Sequence, residues 1–248
     1  MGECDAYVAK FIQWKSIMNC LLITGASAGI GLHTAEIFHK AGYQVINLSR
    51  RRCPLDFVTH INCDLSEPGF IEAIAPQVSS TLQNADRIVL VHNAAKLTND
   101  SAMETPSNQL REVVEINLIA PNSLNYFTIP YMQPGSSILY VGSTLSEKAV
   151  PNSFSYVTTK HGMIGMMRSM CQDLAGRGIH TACICPGFTD TEMLREHVPE
   201  DAMAAVAAMS AYDRLVHPDE IGATLLWAAD SPVINGAVLH ANLGQVES

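Results

Sequence analysis

Short apolar runs recur along the chain, and segments of helical periodicity separate them. The run NCLLITG (19–25) reads as a buried strand. GLHTAEIFHKAG (31–42) follows. It sets Leu32, Ala35, Ile37, Phe38 and Ala41 on roughly one helical face and ends at Gly42, a residue suited to close a helix. Further strands are predicted at YQVINLSR (43–50), VTHINCDL (58–65), ADRIVLVHNAA (85–95), SSILYVGS (136–143), IHTACICPG (179–187) and GAVLHANLG (236–244). Helical patterns occupy 66–82, where Pro76 weakens the pattern, then 107–132, 153–178 and 218–230. The strands are near-continuous apolar runs rather than alternating ones. That pattern predicts a parallel sheet covered on both faces, a doubly wound α/β fold. No Pro/Ser/Gly-rich linker divides the chain, so residues 19–248 are expected to form one domain, with 1–18 as an N-terminal appendage.

Composition narrows the function classes. Of 248 residues, 48% are hydrophobic and 16% charged, enough for one sizeable core. The net charge of −9 and a single basic run, Arg50-Arg51-Arg52, argue against a nucleic-acid surface. No apolar stretch reaches the length of a membrane span, and the first residues lack the apolar core of a secretory signal. The seven cysteines are scattered without a CxxC, which suggests a reducing compartment, so a cytoplasmic location is expected. Cys183 and Cys185 read as two thiols on one face of a core strand. No spacing of histidines or cysteines suggests a metal site.

The glycines at the exit of the first strand change the picture. LLITGASAGIGLHTA places Gly25, Gly29 and Gly31 between a strand and a helix. Such a turn gathers backbone N–H groups and the positive helix end at one point, which attracts phosphate. The spacing is G-x-x-x-G-x-G rather than G-x-G-x-x-G, and a tight turn with no ligand is the alternative.

TGASAGIG (24–31) resembles the cofactor turn of the short-chain dehydrogenase/reductase family. Other landmarks follow in the family's order: CDL (63–65), HNAA (92–95) in place of NNAG, INL (116–118), Ser143 thirteen residues before Tyr156, YVTTK (156–160) as YxxxK, and PGFTDTEM (186–193). The resemblance covers about residues 19–244, with 3-oxoacyl-acyl carrier protein reductases as the similar branch. It implies a Rossmann-like fold with a seven-stranded parallel sheet and hydride transfer between a nicotinamide cofactor and a ketone or secondary alcohol.

Tyr156 and Lys160 are i and i+4 on one predicted helix and share a face. An ammonium beside a phenol stabilises the phenolate, so such a tyrosine can give a proton to a carbonyl oxygen or take one back. Ser143, at the end of a predicted strand, is placed to hydrogen-bond the substrate oxygen. The resemblance adds Asn117, which helps hold Lys160 through water and completes an Asn–Ser–Tyr–Lys tetrad. It also implies that Gly25, Ser27, Gly29, Ile30 and Gly31 line the pyrophosphate. Asp64 and Leu65 are assigned to the adenine, and Asn93 and Ala94 to the adenosine ribose. Lys160 also binds the nicotinamide ribose, beside Tyr156. After Pro186 and Gly187, the Thr189 backbone meets the carboxamide and the Thr191 hydroxyl meets the phosphates.

The second strand ends Leu48-Ser49-Arg50, without the acid that bonds a ribose 2′-OH in NAD readers. Ser49 and Arg50 suit a 2′-phosphate, so NADP(H) is favoured, with NAD(H) as the alternative. Ala28 stands where many NADP-using relatives carry a basic residue. The pocket side chains Thr144, Leu145, Phe154, Phe188 and Met193, with the Met/Ala-rich stretch 192–215, suggest an apolar carbonyl or alcohol substrate. A non-catalytic dinucleotide-binding regulator is the competing function. The helices at 107–132 and 153–178 hold more apolar positions than one sheet face needs, and the family buries them against a symmetry mate, so a homotetramer or homodimer is expected.

Overall fold

The apolar runs fold into strands, of which the five central ones are buried almost end to end and the two edge strands are partly exposed. The computed structural model describes residues 17–245; the expected appendage falls largely on residues 1–16, outside the described residues. β1 (Asn19–Thr24), β2 (Gln44–Ser49), β3 (Thr59–Asn62), β4 (Arg87–His92), β5 (Ser137–Val141), β6 (His180–Pro186) and β7 (Ala237–Ala241) form one sheet in the order β3-β2-β1-β4-β5-β6-β7. Every pairing is parallel. The doubly wound, seven-stranded parallel expectation holds.

Alternate residues of the strands feed two cores. Cys20 and Leu22 point to the side covered by α2 (Phe70–Asn84), α4 (Ala120–Thr128) and α5 (Phe154–Asp173). Leu21 and Ile23 point to the side covered by α1 (Gly29–Lys40) and α8 (Pro218–Ala229). The chain reverses its winding between β1 and β4, so their carboxyl ends open a crevice where α/β folds of this kind bind ligands. At the opposite rim, Arg87 pairs with Asp230 at 2.5 Å and also donates to the Ala229 carbonyl. His180 Nε2 meets the Ala228 carbonyl at 2.8 Å on the same side.

Several predicted helices are shorter or broken. The segment 66–82 starts its helix only at Phe70, because Ser66 donates its N–H and hydroxyl to Asp64 Oδ1, making a turn first. Pro76 sits inside α2 on its exposed side. The pattern 107–132 is a rod of four pieces: α3 (Ser107–Val114), a wide π turn over Glu115–Ile119, α4, and a 3₁₀ turn over Ile129–Tyr131. The stretch after β6 forms α6 (Glu192–His197), a 3₁₀ turn and α7 (Met203–Ala207), interrupted at Pro199. Finally, α5 does not carry a surplus of apolar residues outward. Met163, Ile164 and Met167 are buried, Met166 and Met170 pack on the same core, and His161, Gly165, Arg168 and Ser169 face out.

Candidate active site

The glycine turn leaves β1 held from three sides. Gly25 N–H donates to the Leu48 carbonyl at 2.9 Å, and Ala26 N–H donates to Asn47 Oδ1 at 2.8 Å. Asn93 Nδ2 donates to the Thr24 and Gly25 carbonyls, both at 3.0 Å. A Cβ on Gly31 would lie 2.3 Å from the Gly25 carbonyl oxygen, so the turn closes only around hydrogen at that position. The N-cap of α1 is Ala28, which offers no side-chain oxygen, and the first turn has no acid. The first amides of α1 therefore lack a side-chain partner, and this cradle fits an anionic pyrophosphate. Thr191 flanks it: a Cβ on Gly29 would lie 3.1 Å from the Thr191 methyl. Ser27 and Ile30 lie in the same turn.

The four residues of the expected tetrad lie on three elements. Tyr156 and Lys160 lie on α5 and are both buried, with Lys160 Nζ 5.3 Å from the Tyr156 ring centre. Nζ donates to the Val141 carbonyl at 2.7 Å, which ties the helix to the end of β5. Two residues on stands Ser143, whose Oγ accepts from Leu145 N–H at 3.1 Å in a reciprocal cap with Ser146. Gly142 between them has no room for a side chain, since a Cβ would meet the Cys183 and Cys185 sulfurs at 2.7 and 2.8 Å. Those thiols are 3.9 Å apart and fully buried, as the strand pattern predicts.

Asn117 occupies the π turn and is fully buried. Its Oδ1 accepts from Lys96 N–H at 2.8 Å. Its Nδ2 donates to the Lys96 carbonyl and to Thr159 Oγ1, both at 3.0 Å. The side chain thus ties the segment following β4 to the residue before Lys160.

A family model described as enoyl-(acyl carrier protein) reductase matches residues 25–245. The chain belongs to the short-chain dehydrogenase/reductases. It is 29% identical over 240 residues to the 3-oxoacyl-[acyl-carrier-protein] reductase of Thermotoga maritima, covering 91% of this chain and 96% of that one. It is 27% identical over 232 residues to carbonyl reductase family member 4 of Xenopus laevis, covering 90% and 95%. Among solved structures, the aldohexose dehydrogenase of Thermoplasma acidophilum superposes with a TM-score of 0.84 at 26% identity, covering 92% of this chain and 94% of that one. The protein is an NAD(P)-dependent oxidoreductase of this family.

In this short-chain dehydrogenase/reductase the exits of β2 and β3 adjoin. Ser49 is buried, accepts from Asn47 Nδ2 at 2.8 Å and donates its proton to the Arg51 carbonyl at 2.7 Å. Its hydroxyl is therefore turned into the strand end. Arg50 is exposed, with Nη1 3.9 Å from Asp64 Oδ2. The Ser66 N–H and hydroxyl, with a smaller contribution from Arg50, hold the Asp64 carboxyl below its ordinary range. Leu65 is buried in the core, while Ala94 accompanies Asn93 at the glycine turn, its N–H donating to Thr24 Oγ1 at 3.0 Å. Pro186 ends β6, Gly187 N–H donates to the Ala241 carbonyl at 3.2 Å, and Thr189 N and side chain lie in the loop that follows.

Of the side chains expected to line the substrate pocket, Thr144 and Leu145 belong to the turn after Ser143, Phe154 opens α5, and Met193 lies on α6, one turn from His197. Phe188 follows Gly187, and its carbonyl accepts from Val216 N–H at 2.9 Å. Beside them is a cavity of about 400 Å³ whose walls include Asp100, Ser101, Glu104, Asn152 and His197. Its lining is polar, and none of the side chains expected to form the apolar pocket is part of it. Among the described residues no group of three or more His, Cys, Asp or Glu side chains is placed to hold a metal ion.

Three contributors were missed. Asn47 and Thr24 brace the glycine turn, and each is a buried polar residue in an apolar strand, a signal visible in the sequence. Glu192 pairs with Arg51 at 2.7 Å across 141 residues, and nothing in the local sequence marks it.

Proposed function

We propose that the chain is a carbonyl reductase or alcohol dehydrogenase that favours NADP(H) and uses Tyr156 as its acid/base. The observation that carries this is the buried pair on α5: a lysine ammonium 5.3 Å from the tyrosine ring, anchored to the carbonyl two residues before Ser143. When bound, the nicotinamide supplies or accepts the hydride. Tyr156 holds the proton that moves to or from the substrate oxygen, with the Lys160 amine beside its ring. Ser143 offers a hydroxyl to the same oxygen, oriented by its cap on Leu145. Asn117 fixes the Lys96 segment against α5. The exposed Arg50 is the side chain best suited to a 2′-phosphate, because the Ser49 proton is already committed. A regulator without catalysis would not need a lysine buried against a tyrosine.

The substrate in this proposal presents its ketone or alcohol near Leu145, Phe154 and Phe188, with a polar portion toward the Asp100–His197 cavity. Self-association as a dimer or tetramer belongs to the same proposal, supported by the exposed Ile119 and Tyr126 on the α3–α4 rod. Six free cysteines among the described residues suit a reducing, cytoplasmic setting. The test is a screen of carbonyl compounds by NADPH oxidation, with Tyr156→Phe as the control. The variant should lose turnover while its NADPH affinity stays within about threefold. Near wild-type kcat in Tyr156→Phe would remove Tyr156 from the role.

A further inference from the structure

Two of the three arginines leaving β2 are opposed by carboxylates. Arg50 stands 3.9 Å from Asp64, a loose approach. Arg51 is held closely, its Nη2 2.7 Å from Glu192 Oε2. Glu192 comes from elsewhere in the chain: it opens α6, which follows β6, four strands from β2 in the sheet. Its position is fixed by its neighbour. Thr191 caps α6 by accepting from Leu194 N–H at 3.3 Å, and its methyl lies against Gly29 in the phosphate cradle. The Glu192 carboxylate is therefore carried next to the cradle by the same residue that flanks it.

This matters for the adenosine ribose. A 2′-phosphate needs guanidinium donors, and charge-assisted contacts to it are strong. A carboxylate that pairs with a guanidinium takes it away from that phosphate. The same carboxylate is compatible with a ribose that carries only hydroxyls. We propose that Glu192 is a specificity-determining residue that restrains NADP(H) preference by competing with the 2′-phosphate for Arg51. This rests on the assignment of the β2 exit to the 2′ position. The acid that the end of β2 lacks is thus delivered from α6, and cofactor choice is set by two elements rather than one.

The experiment is titration calorimetry of the full chain with adenosine 2′,5′-bisphosphate and with 5′-AMP, which differ only at the 2′ position. Wild type, Glu192→Gln, Arg51→Ala and the double variant are compared. Glu192→Gln should bind the bisphosphate roughly three- to tenfold more tightly and 5′-AMP within about twofold of wild type. The gain should vanish when Arg51 is alanine. An unchanged ratio of the two nucleotides in Glu192→Gln, or a gain that survives without Arg51, overturns the proposal. The underlying assignment is tested separately by Arg50→Ala: if that variant keeps the full wild-type preference for the bisphosphate, the 2′ site is not at Arg50, whatever Glu192→Gln does.

Discussion

Asp100 accepts a hydrogen bond from the backbone N–H of Ser155 at 3.0 Å, one residue before Tyr156. Ser153, the N-cap of α5, makes no side-chain cap of its own. The carboxylate of Asp100 takes over that task from a loop 55 residues away, supported by Thr98, whose hydroxyl reaches Asp100 Oδ2 at 3.1 Å. Phe154 N–H also donates to the Asp100 carbonyl. The helix that carries Tyr156 and Lys160 is thereby started from outside itself. Asp100→Ala should lower unfolding free energy by about 1–2 kcal/mol, as loss of a helix cap does. It should also lower kcat by about tenfold through misplacement of Tyr156. Asp100→Asn keeps an oxygen facing Ser155 and should retain most of both. Urea unfolding and steady-state kinetics on the two variants decide it.

Arg50→Ala separates the two cofactors. A charge-assisted contact to phosphate contributes about 1.5–3 kcal/mol, which corresponds to roughly tenfold or more in affinity. NADPH should weaken by that factor and NADH should hold. Raising the salt should erode wild-type NADPH affinity in the same sense, since Arg50 is exposed and its field is screened. Equal losses for both cofactors would assign Arg50 to the turn alone.

His92 makes the fold acid-sensitive. It is buried beside Tyr140, its Nε2 is 2.7 Å from Asn125 Oδ1, and burial holds its pKa down at about 4 against an ordinary 6.5. The native state then binds fewer protons than the unfolded chain between those values. Stability is complete above pH 6.5 and falls as the pH drops toward 4, by about 3 kcal/mol at pH 4 from this residue. His180, also pushed down by burial, acts in the same direction. Denaturant unfolding from pH 7.5 to 4 should show this slope, and His92→Asn should flatten it. An unaltered slope in the variant would assign the acid sensitivity elsewhere.

Self-association is read by sedimentation. Tyr126 is 85% exposed and Ile119 is 44% exposed, both on the α3–α4 rod. Wild type should sediment as a dimer or tetramer at micromolar concentration, and Tyr126→Glu should shift it toward the monomer. A wild-type chain that is monomeric at that concentration would contradict the proposed assembly.

The sequence made the frame legible because apolar continuity and glycine spacing are local. The run LLITG and the pair Tyr156/Lys160 each carry their signal within a few residues, and the parallel sheet follows from alternation with helices. The π turn at Glu115–Ile119 was hidden, because EINLI keeps an ordinary helical pattern and the wide turn comes from seating Asn117 against Lys96 and Thr159. Ser49 was legible as a residue but not in its orientation, which depends on Asn47 beneath it and the Arg51 carbonyl beyond it. Asp100 and Glu192 were illegible because each acts on a partner far away in the chain, 55 and 141 residues off.

All seven strands run the same way, so the residues assigned to chemistry gather at one rim and Arg87, His180 and Asp230 at the other. The two rims answer to different pressures. Substitutions around the Arg87–Asp230 pair can adjust how much heat the enzyme withstands while leaving its choice of substrate alone. Replacements in the loops beyond Thr24, His92 and Val141 can change what it acts on without rebuilding the sheet. A lineage carrying this chain can therefore adapt to a new temperature and to a new metabolite as separate events.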